Sequence, residues 1–324
     1  MSITLDQAIH ELKMGRAVRI GKSAFMHPEY AAKLPAGAKL IITGKRAFAL
    51  TGKNFKGNTA VNLKGKKLPS LQTIISGKTK ADCKSVNNAD ADAAIKLAAL
   101  GELLPAVIQF SANTKTPEIK KSDIKKAKDK LILTAEAPLK LRDCGTARIY
   151  AYRAEGKISE HLAIVVGKPG NNPLVRVHSC CYTGDLLGSL SCDCRDQLRG
   201  ALQLMHRSGG GILVYLMQEG RGIGLVNKLR AYDLQANGLD TVQANEFLGF
   251  DDEERAFAPA AAILKKLGIK NISLISNNPK KAKELEAEGI KVAKLVPMII
   301  EHEHNRNYLV TKRTKSGQIG RAHV

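Results

Sequence analysis

The sequence predicts an α/β fold, α+β over the whole chain, in two domains. Three observations carry this. From residue 147 onward, segments of strand and helix character alternate, which argues for layered α/β architecture. The chain has 324 residues at 44% hydrophobic content, enough for two cores of ordinary size. The sequence also changes character near 138–146, so a first domain is expected over 1–140 and a second over 141–317.

In chain order, residues 4–20 read as an amphipathic helix leading into a strand, and KLIITGKRAFAL (39–50) as a hairpin-like pair of strands. Residues 51–88, rich in Gly, Lys, Ser and Asn, read as loops around one short strand. Helical spacing over 90–104 is followed by the strand PAVIQF, and the lysine-rich stretch 115–130 holds a short helix at 122–129. In the second domain, strands are expected at 147–153, 160–167 and 174–178, then a helix at 193–207 and the buried strand 211–217. Helices at 224–237 and 253–267, the strand NISLIS, a helix at 279–288 and the strand KVAKLV complete the series. No internal repeat is visible. The last residues, QIGRAHV (318–324), read as a non-native tail and are set aside.

Composition narrows the function classes. No apolar run reaches the roughly 18–20 residues that span a bilayer, so no membrane role is expected. The N-terminus lacks the order of a secretory signal and the cysteines form no spread-out framework, which points to a reducing cytoplasm. The net charge is +21, and residues 1–140 carry 25 Lys/Arg against 11 Asp/Glu. Such a surface attracts nucleic acid or phosphorylated small molecules, or is simply a solvated lysine-rich face. With no Trp and 4% aromatics, stacking platforms for single strands are poorly supplied, so nucleic acid is an unfavoured partner.

Chemistry concentrates in RVHSCCYTGDLLGSLSCDCRDQL. Cys181, Cys192 and Cys194 follow Cys-x10-Cys-x-Cys, unlike the paired C-x2-C spacing of closed four-thiolate sites. Three thiolates hold a Zn²⁺ and leave a fourth position for water, as a catalytic zinc requires. Cys192 and Cys194 flank Asp193 at a helix start, where thiolates are favoured over thiols. Recruiting Cys180 as a fourth ligand is the structural alternative, but adjacent residues rarely reach one metal. Cys83 and Cys144 read as ordinary thiols, and His178 as a core histidine or one that supports the ligands from behind.

The second constellation is YLMQEGRGIGLVNKLRAY (215–232), with strand, Gly-rich turn and helix in that order. Its glycine spacing falls short of G-x-G-x-x-G, and charges stand between the glycines. Glu219 could accept from a guanine-type N–H and NH₂ edge, and Arg221 could fork onto phosphate oxygens. A turn with surface charges is the plainer reading of that motif taken alone.

Together these strings resemble GTP cyclohydrolase II. RVHSxCxTGD, SLxCDCxxQL, QEGRGIGLxNKxRAY, TVxAN, LGFxxxER, NNPKK and YLxTK occur in one order over most of residues 145–317. The resemblance implies a mixed sheet with helices, a homodimer, and zinc-dependent opening of the guanine imidazole ring of GTP, with loss of formate and pyrophosphate, at the start of riboflavin synthesis. It implies one zinc per subunit on Cys181, Cys192 and Cys194, and Mg²⁺ with the triphosphate. Arg176, Gln197, Glu219, Arg221, Thr241 and Lys281 match GTP-binding positions, and Ser276 stands where the family usually has Thr. Tyr232 matches the tyrosine beside the reacting ring, Arg255 the arginine at the α-phosphate, and Glu253 its partner acid. Four neighbours depart from the usual pattern: Cys180 for an acid, Ser191 for Arg, Arg195 for Gly and Glu253 for Asp. They motivate two alternatives, a GTP-binding regulatory paralogue without turnover and a zinc-stabilised nucleic-acid binder.

The first domain resembles, more faintly, 3,4-dihydroxy-2-butanone-4-phosphate synthase. LDQAIHELKMGRAVRI matches its opening helix and strand, and AAIKLAALGELLPAVIQF a late helix and strand. Its acidic loop is represented only by Glu29 in GKSAFMHPEYAAKL, and the expected His–Thr–Glu falls at Asp90-Ala91-Asp92. A shortened domain without the acid cluster is expected to be catalytically inactive.

Overall fold

The computed structural model describes residues 2–63, 66–125, 131–154, 160–251, 253–298 and 300. YLxTK and the tail at 318–324 lie outside these residues, as does the end of the helix expected at 122–129. The chain divides into two compact units: 1–127 with 221–254, and 128–220 with 255–324.

The first unit begins with α1 (Leu5–Lys13), whose N-cap Thr4 accepts from Gln7 N while the Gln7 side chain reaches back, a reciprocal capping box. There follow β1 (Val18–Ile20), β2 (Ser23–Met26), β3 (Lys39–Ile42), α2 (Gly44–Thr51), β4 (Thr59–Val61), α3 (Leu68–Ser76), β5 (Cys83–Ser85), α4 (Ala89–Leu100), β6 (Ala106–Ser111) and α5 (Lys121–Lys125). The strands form one antiparallel sheet in the order β1-β2-β6-β3-β4-β5. Alternation places Ile41 and Val107 in a core with α1 and α4, and Leu40, Ile42, Ala106 and Ile108 in a core on the opposite face. That opposite core also contains Ile223, Ala231, Leu234, Ala244, Leu248 and Phe250, from the returning segment 221–254.

In the second unit, β7 (Leu131–Leu141), β8 (Gly145–Ala154), β9 (Glu160–Gly167) and β10 (Leu174–Ser179) are followed by a π-helical turn at Tyr182–Leu186, α6 (Cys194–Arg207) and β11 (Gly210–Leu216). Beyond a 3₁₀ turn, Glu219–Gly222, come α7 (Leu225–Ala236) and α8 (Thr241–Phe247), which belong to the first unit. The second unit resumes with α9 (Ala258–Lys266), β12 (Asn271–Ile275), α10 (Pro279–Ala287) and β13 (Lys291–Val296). Its sheet runs β13-β12-β10-β11-β9-β8-β7, with β13, β12, β10 and β11 parallel and the rest antiparallel. One face of the sheet buries Val175, Val177, Val214 and Leu274 with α9 and α10; the other buries Leu213 and Ile275 with α6. The α/β class and the mixed sheet agree with the sequence.

Several elements differ from expectation. The pair of strands expected at 39–50 is β3 followed by α2, because the Thr43 hydroxyl accepts from Arg46 N at 3.2 Å and starts a helix. The loops expected at 51–88 contain α3, started by Pro69 and held by Leu71, Ile74 and Ile75. The helix expected from 253 begins only at Ala258, with Pro259 in its first turn. β7 already starts at Leu131, ahead of the residue-140 division.

Candidate metal and nucleotide site

The carboxyl ends of parallel strands are where open α/β sheets present ligand-binding groups. Here β10 leads to Cys180-Cys181, β11 leads to Glu219, and β12 leads to Ser276. Cys192 and Cys194 arrive at the start of α6. The ligand atoms of Cys181, Cys192 and Cys194 all lie within 4.8 Å of one another, and Cys181 Sγ is 3.8 Å from Cys192 Sγ. Cys180 is not in this group, and neither is His178, whose Nε2 meets the Asp185 carboxylate at 3.1 Å.

The thiol cluster is built to hold a cation. Cys194 is raised well above the ordinary thiol range by its neighbours Cys181 and Cys192, and Cys192 is raised chiefly by Cys181. Those shifts come first from hydrogen bonds among the thiols; a divalent ion would displace the shared protons and keep all three as thiolates. Gly184 N–H donates to Cys181 Sγ at 3.3 Å. A Cβ on Gly184 would lie 2.7 Å from Cys192 Sγ and 3.0 Å from Cys181 Sγ, so only glycine leaves the cradle open. The donor set and its spacing therefore fit zinc, with thiolates as ligands.

Asp185 fixes the loop from beneath. Its carboxylate accepts from Cys181 N at 3.1 Å and from the Tyr215 hydroxyl at 2.8 Å, besides meeting His178. Asp185, Tyr215 and Gly184 were missed as site residues in the sequence. The TGD string contains two of them, but only the fold brings Tyr215, on β11, into reach.

Cations gather in the same unit. Arg176, buried on β10, donates to Ile275 O at 3.1 Å and to the Gln197 side chain, which in turn donates to Asp193. Its Nε is buried and has no partner among the described residues. Burial lowers the Arg176 pKa, while nearby Asp193 acts in the opposite direction. Lys281 Nζ donates to Val177 O at 2.9 Å and sits 5.0 Å from the centre of the Phe257 ring. The Arg255 guanidinium sits 5.6 Å from the same ring. Phe257, also missed in the sequence, thus collects two of the expected site cations by cation–π attraction. Ser276 is buried and caps the turn before α10, accepting from Asn278 N at 3.1 Å.

Glu219 is 5% exposed and already oriented: Oε2 accepts from Tyr182 N at 2.5 Å and Oε1 from Gly220 N at 2.8 Å. The Cys180 thiol lies 4.0 Å from Glu219 Oε2, and burial pushes its pKa up to about 11. Of the departures, Arg195 lies over Gly188, where a Cβ would stand 2.3 Å from its Nη1. Ser191 N donates to Ser189 Oγ at 3.3 Å.

Arg221, Tyr232, Thr241 and Glu253 belong to the first unit. Arg221 has φ 63°, between Gly220 at 61° and Gly222 at 92°. A non-glycine residue held there is strained, a condition found mostly where function requires it. Tyr232 lies on α7 with Lys228 Nζ 5.6 Å from its ring centre. Thr241 opens α8, which Asp240 caps reciprocally with Gln243.

A model of the GTP cyclohydrolase II family matches residues 133–297. GTP cyclohydrolase-2 of Azospirillum brasilense is 45% identical over 246 residues, covering 70% of this chain and 64% of that protein. The riboflavin biosynthesis protein RibBA of Synechocystis is 51% identical over 178 residues, 53% of this chain and 32% of the relative. RibBA of Bacillus subtilis is 49% identical over 181 residues, 55% and 46% respectively. The chain therefore spans between about a third and two thirds of the length of these relatives. RibBX, a two-domain 3,4-dihydroxy-2-butanone 4-phosphate synthase from A. baumannii, aligns at TM-score 0.33 and 14% identity over 92% of this chain and 100% of its own, too low a likeness to carry an argument. A three-thiol centre at the ends of parallel strands, with buried cations beside it, fits the family match: the chain belongs to the GTP cyclohydrolase II family. Among the described residues no helix is long and apolar enough to cross a membrane.

Proposed function

We propose that this chain hydrolyses GTP as a zinc-dependent cyclohydrolase, releasing formate and pyrophosphate and leaving a 2,5-diaminopyrimidine ribonucleotide for riboflavin synthesis. The observation that carries the reading is the thiol triad, with ligand atoms within 4.8 Å, in one unit with Arg176, Arg255 and Lys281. Zinc bound by Cys181, Cys192 and Cys194 would supply Lewis-acid activation of water near neutral pH.

The chain's own residues do the rest. Glu219, fixed by two backbone N–H groups, accepts from the guanine N–H and amino edge and so selects guanine. Arg176, Lys281 and Arg255 carry the positive charge that receives the phosphates, with Arg176 Nε as a donor. Ser276 and Gln197 bind GTP with them, and Gln197 also accepts from Arg176. Arg255 serves the α-phosphate with Glu253 as its acid, Arg221 and Thr241 bind nucleotide, and Tyr232 stands by the reacting ring. Mg²⁺ accompanies the triphosphate as its counter-charge. A cytoplasmic homodimer is the expected form.

Residues 1–140 are proposed to be an inactive relative of the dihydroxybutanone-phosphate synthases. Their candidate acids are committed elsewhere: Asp90 pairs with Lys121 at 2.7 Å, Asp92 accepts from Asn58 at 2.7 Å, and Glu29 pairs with Arg230.

The deciding test is GTP turnover with and without a chelator, with formate, pyrophosphate and the pyrimidine product identified. A folded, zinc-loaded sample that leaves GTP intact rejects the activity. Binding without turnover would identify a nucleotide-binding paralogue instead.

A further inference from the structure

Residues 221–254 lie within the stretch matched by the family model, yet they fold into the core of the N-terminal unit. The attachment is specific at both ends of the segment. On α7, Arg230 donates to the Glu29 carboxylate and, at 2.8 Å, to Asn227 Oδ1. Asn227 is 1% exposed, and its amide donates to Glu102 O at 3.0 Å and to Ile223 O at 2.9 Å. His27, fully buried, backs Glu29, whose N–H lies 3.4 Å from Nδ1. At the end of α8, Arg46 donates to Phe247 O at 2.7 Å, and just beyond it Thr43 Oγ1 donates to Gly249 O at 2.9 Å. Lys45 pairs with Asp251 at 2.7 Å.

The helix geometry gives these contacts a consequence. Successive residues advance about 100° around an α-helix, so Tyr232 projects roughly 200° away from Arg230. Asn227, Ala231 and Leu234 form the buried stripe of α7. Clasping that side of the helix at Arg230 sets the rotation of the side that carries Tyr232. The same segment carries Arg221 and Thr241.

We propose that Glu29, through Arg230, is a positioning residue for the nucleotide-binding segment 221–254, and that residues 1–127 thereby serve substrate binding without contributing catalytic groups. This rests on the substrate roles proposed above for Arg221, Tyr232 and Thr241. The zinc ligands lie in the other unit, so metal loading is independent of the Glu29–Arg230 link.

The test uses the full chain, native and with Glu29→Gln or Glu29→Asp. Three quantities are read: amide exchange across 225–236, zinc per chain, and the GTP dissociation constant. Replacing a charged acceptor by a neutral one should speed exchange in α7 roughly tenfold, with β3 and β6 unchanged. GTP affinity should fall about tenfold while zinc content stays native. Glu29→Asp, which keeps the charge on a shorter arm, should fall between native and Glu29→Gln in both. Native exchange in α7 or native GTP affinity for Glu29→Gln overturns the proposal. So does an even loss of protection over the whole unit, which would mark a merely structural role. A native chain that does not bind GTP rejects the function proposed above and is distinguished by the native arm alone.

Discussion

Replacing Gly184 by alanine adds one methyl group among the three thiols and nothing else. Gly184 is not held at positive φ, so the backbone accepts alanine, and the amide that donates to Cys181 Sγ is retained. The added Cβ would lie 2.7 Å from Cys192 Sγ, 2.9 Å from Cys194 Cβ and 3.0 Å from Cys181 Sγ. Favourable contacts of carbon-like atoms begin near 3.5 Å, so each pair overlaps by roughly half an ångström or more. Overpacking of this kind costs about 1–3 kcal/mol. The sulphurs can spread when no ion gathers them, so the strain falls on the loaded state and lowers zinc affinity by roughly 5- to 150-fold. Competition against a chromophoric chelator measures it directly. Gly170→Ala, where nothing lies within 4 Å of the added carbon, is the control and should bind zinc as the native chain does. Native zinc affinity in Gly184→Ala would refute the claim that the cradle is sterically closed at this point.

Three further outcomes are expected. Phe257→Leu removes the ring shared by Lys281 and Arg255; at about 0.5–2 kcal/mol per contact, GTP binding measured by calorimetry should weaken roughly tenfold with zinc unchanged. Arg221→Gly relieves a left-handed residue, so the urea midpoint should rise by the equivalent of ~1 kcal/mol while GTP binding weakens; a midpoint that falls contradicts the strain. Burial lowers the His27 pKa from its ordinary 6.5, partly opposed by the Leu104 carbonyl. The unfolded chain therefore takes up this proton first, and the stability contributed by neutral His27 is complete above about pH 6.5 and declines as pH falls below it. His27→Gln should flatten the stability slope there by up to ~1.4 kcal/mol per pH unit, read from urea midpoints at several pH values.

The parts of the fold that were legible from sequence were those with an unambiguous period. β9, β10, α6, β11, β12, α10 and β13 lie close to where strand-like apolar segments and helical spacing put them. β7 escaped because nine consecutive residues, Ile132 to Lys140, are exposed, so no buried alternation marks it. α8 is short, but its capping box, Asp240 with Gln243, was a readable signal. For the site, cysteine spacing identified the thiols that the fold brings together. Phe257 and Tyr215 were invisible because an aromatic in a core looks the same whether or not it holds a cation or a carboxylate. A single cut near residue 140 could not show that 221–254 returns to the first unit, since local pattern contains no record of which sheet a helix covers.

That return has a consequence during synthesis. The face of β3 and β6 that buries Leu40, Ile42 and Ile108 also packs Leu234, Leu248 and Phe250. Thr43 and Gly249, which hydrogen-bond, are separated by 206 positions. At about 5–20 residues per second, a ribosome needs roughly 6–25 s to pass from the end of the N-terminal stretch to residue 254. Throughout that interval the nascent N-terminal sheet presents an uncovered apolar face, so chaperone demand should peak midway through translation and end when α8 emerges.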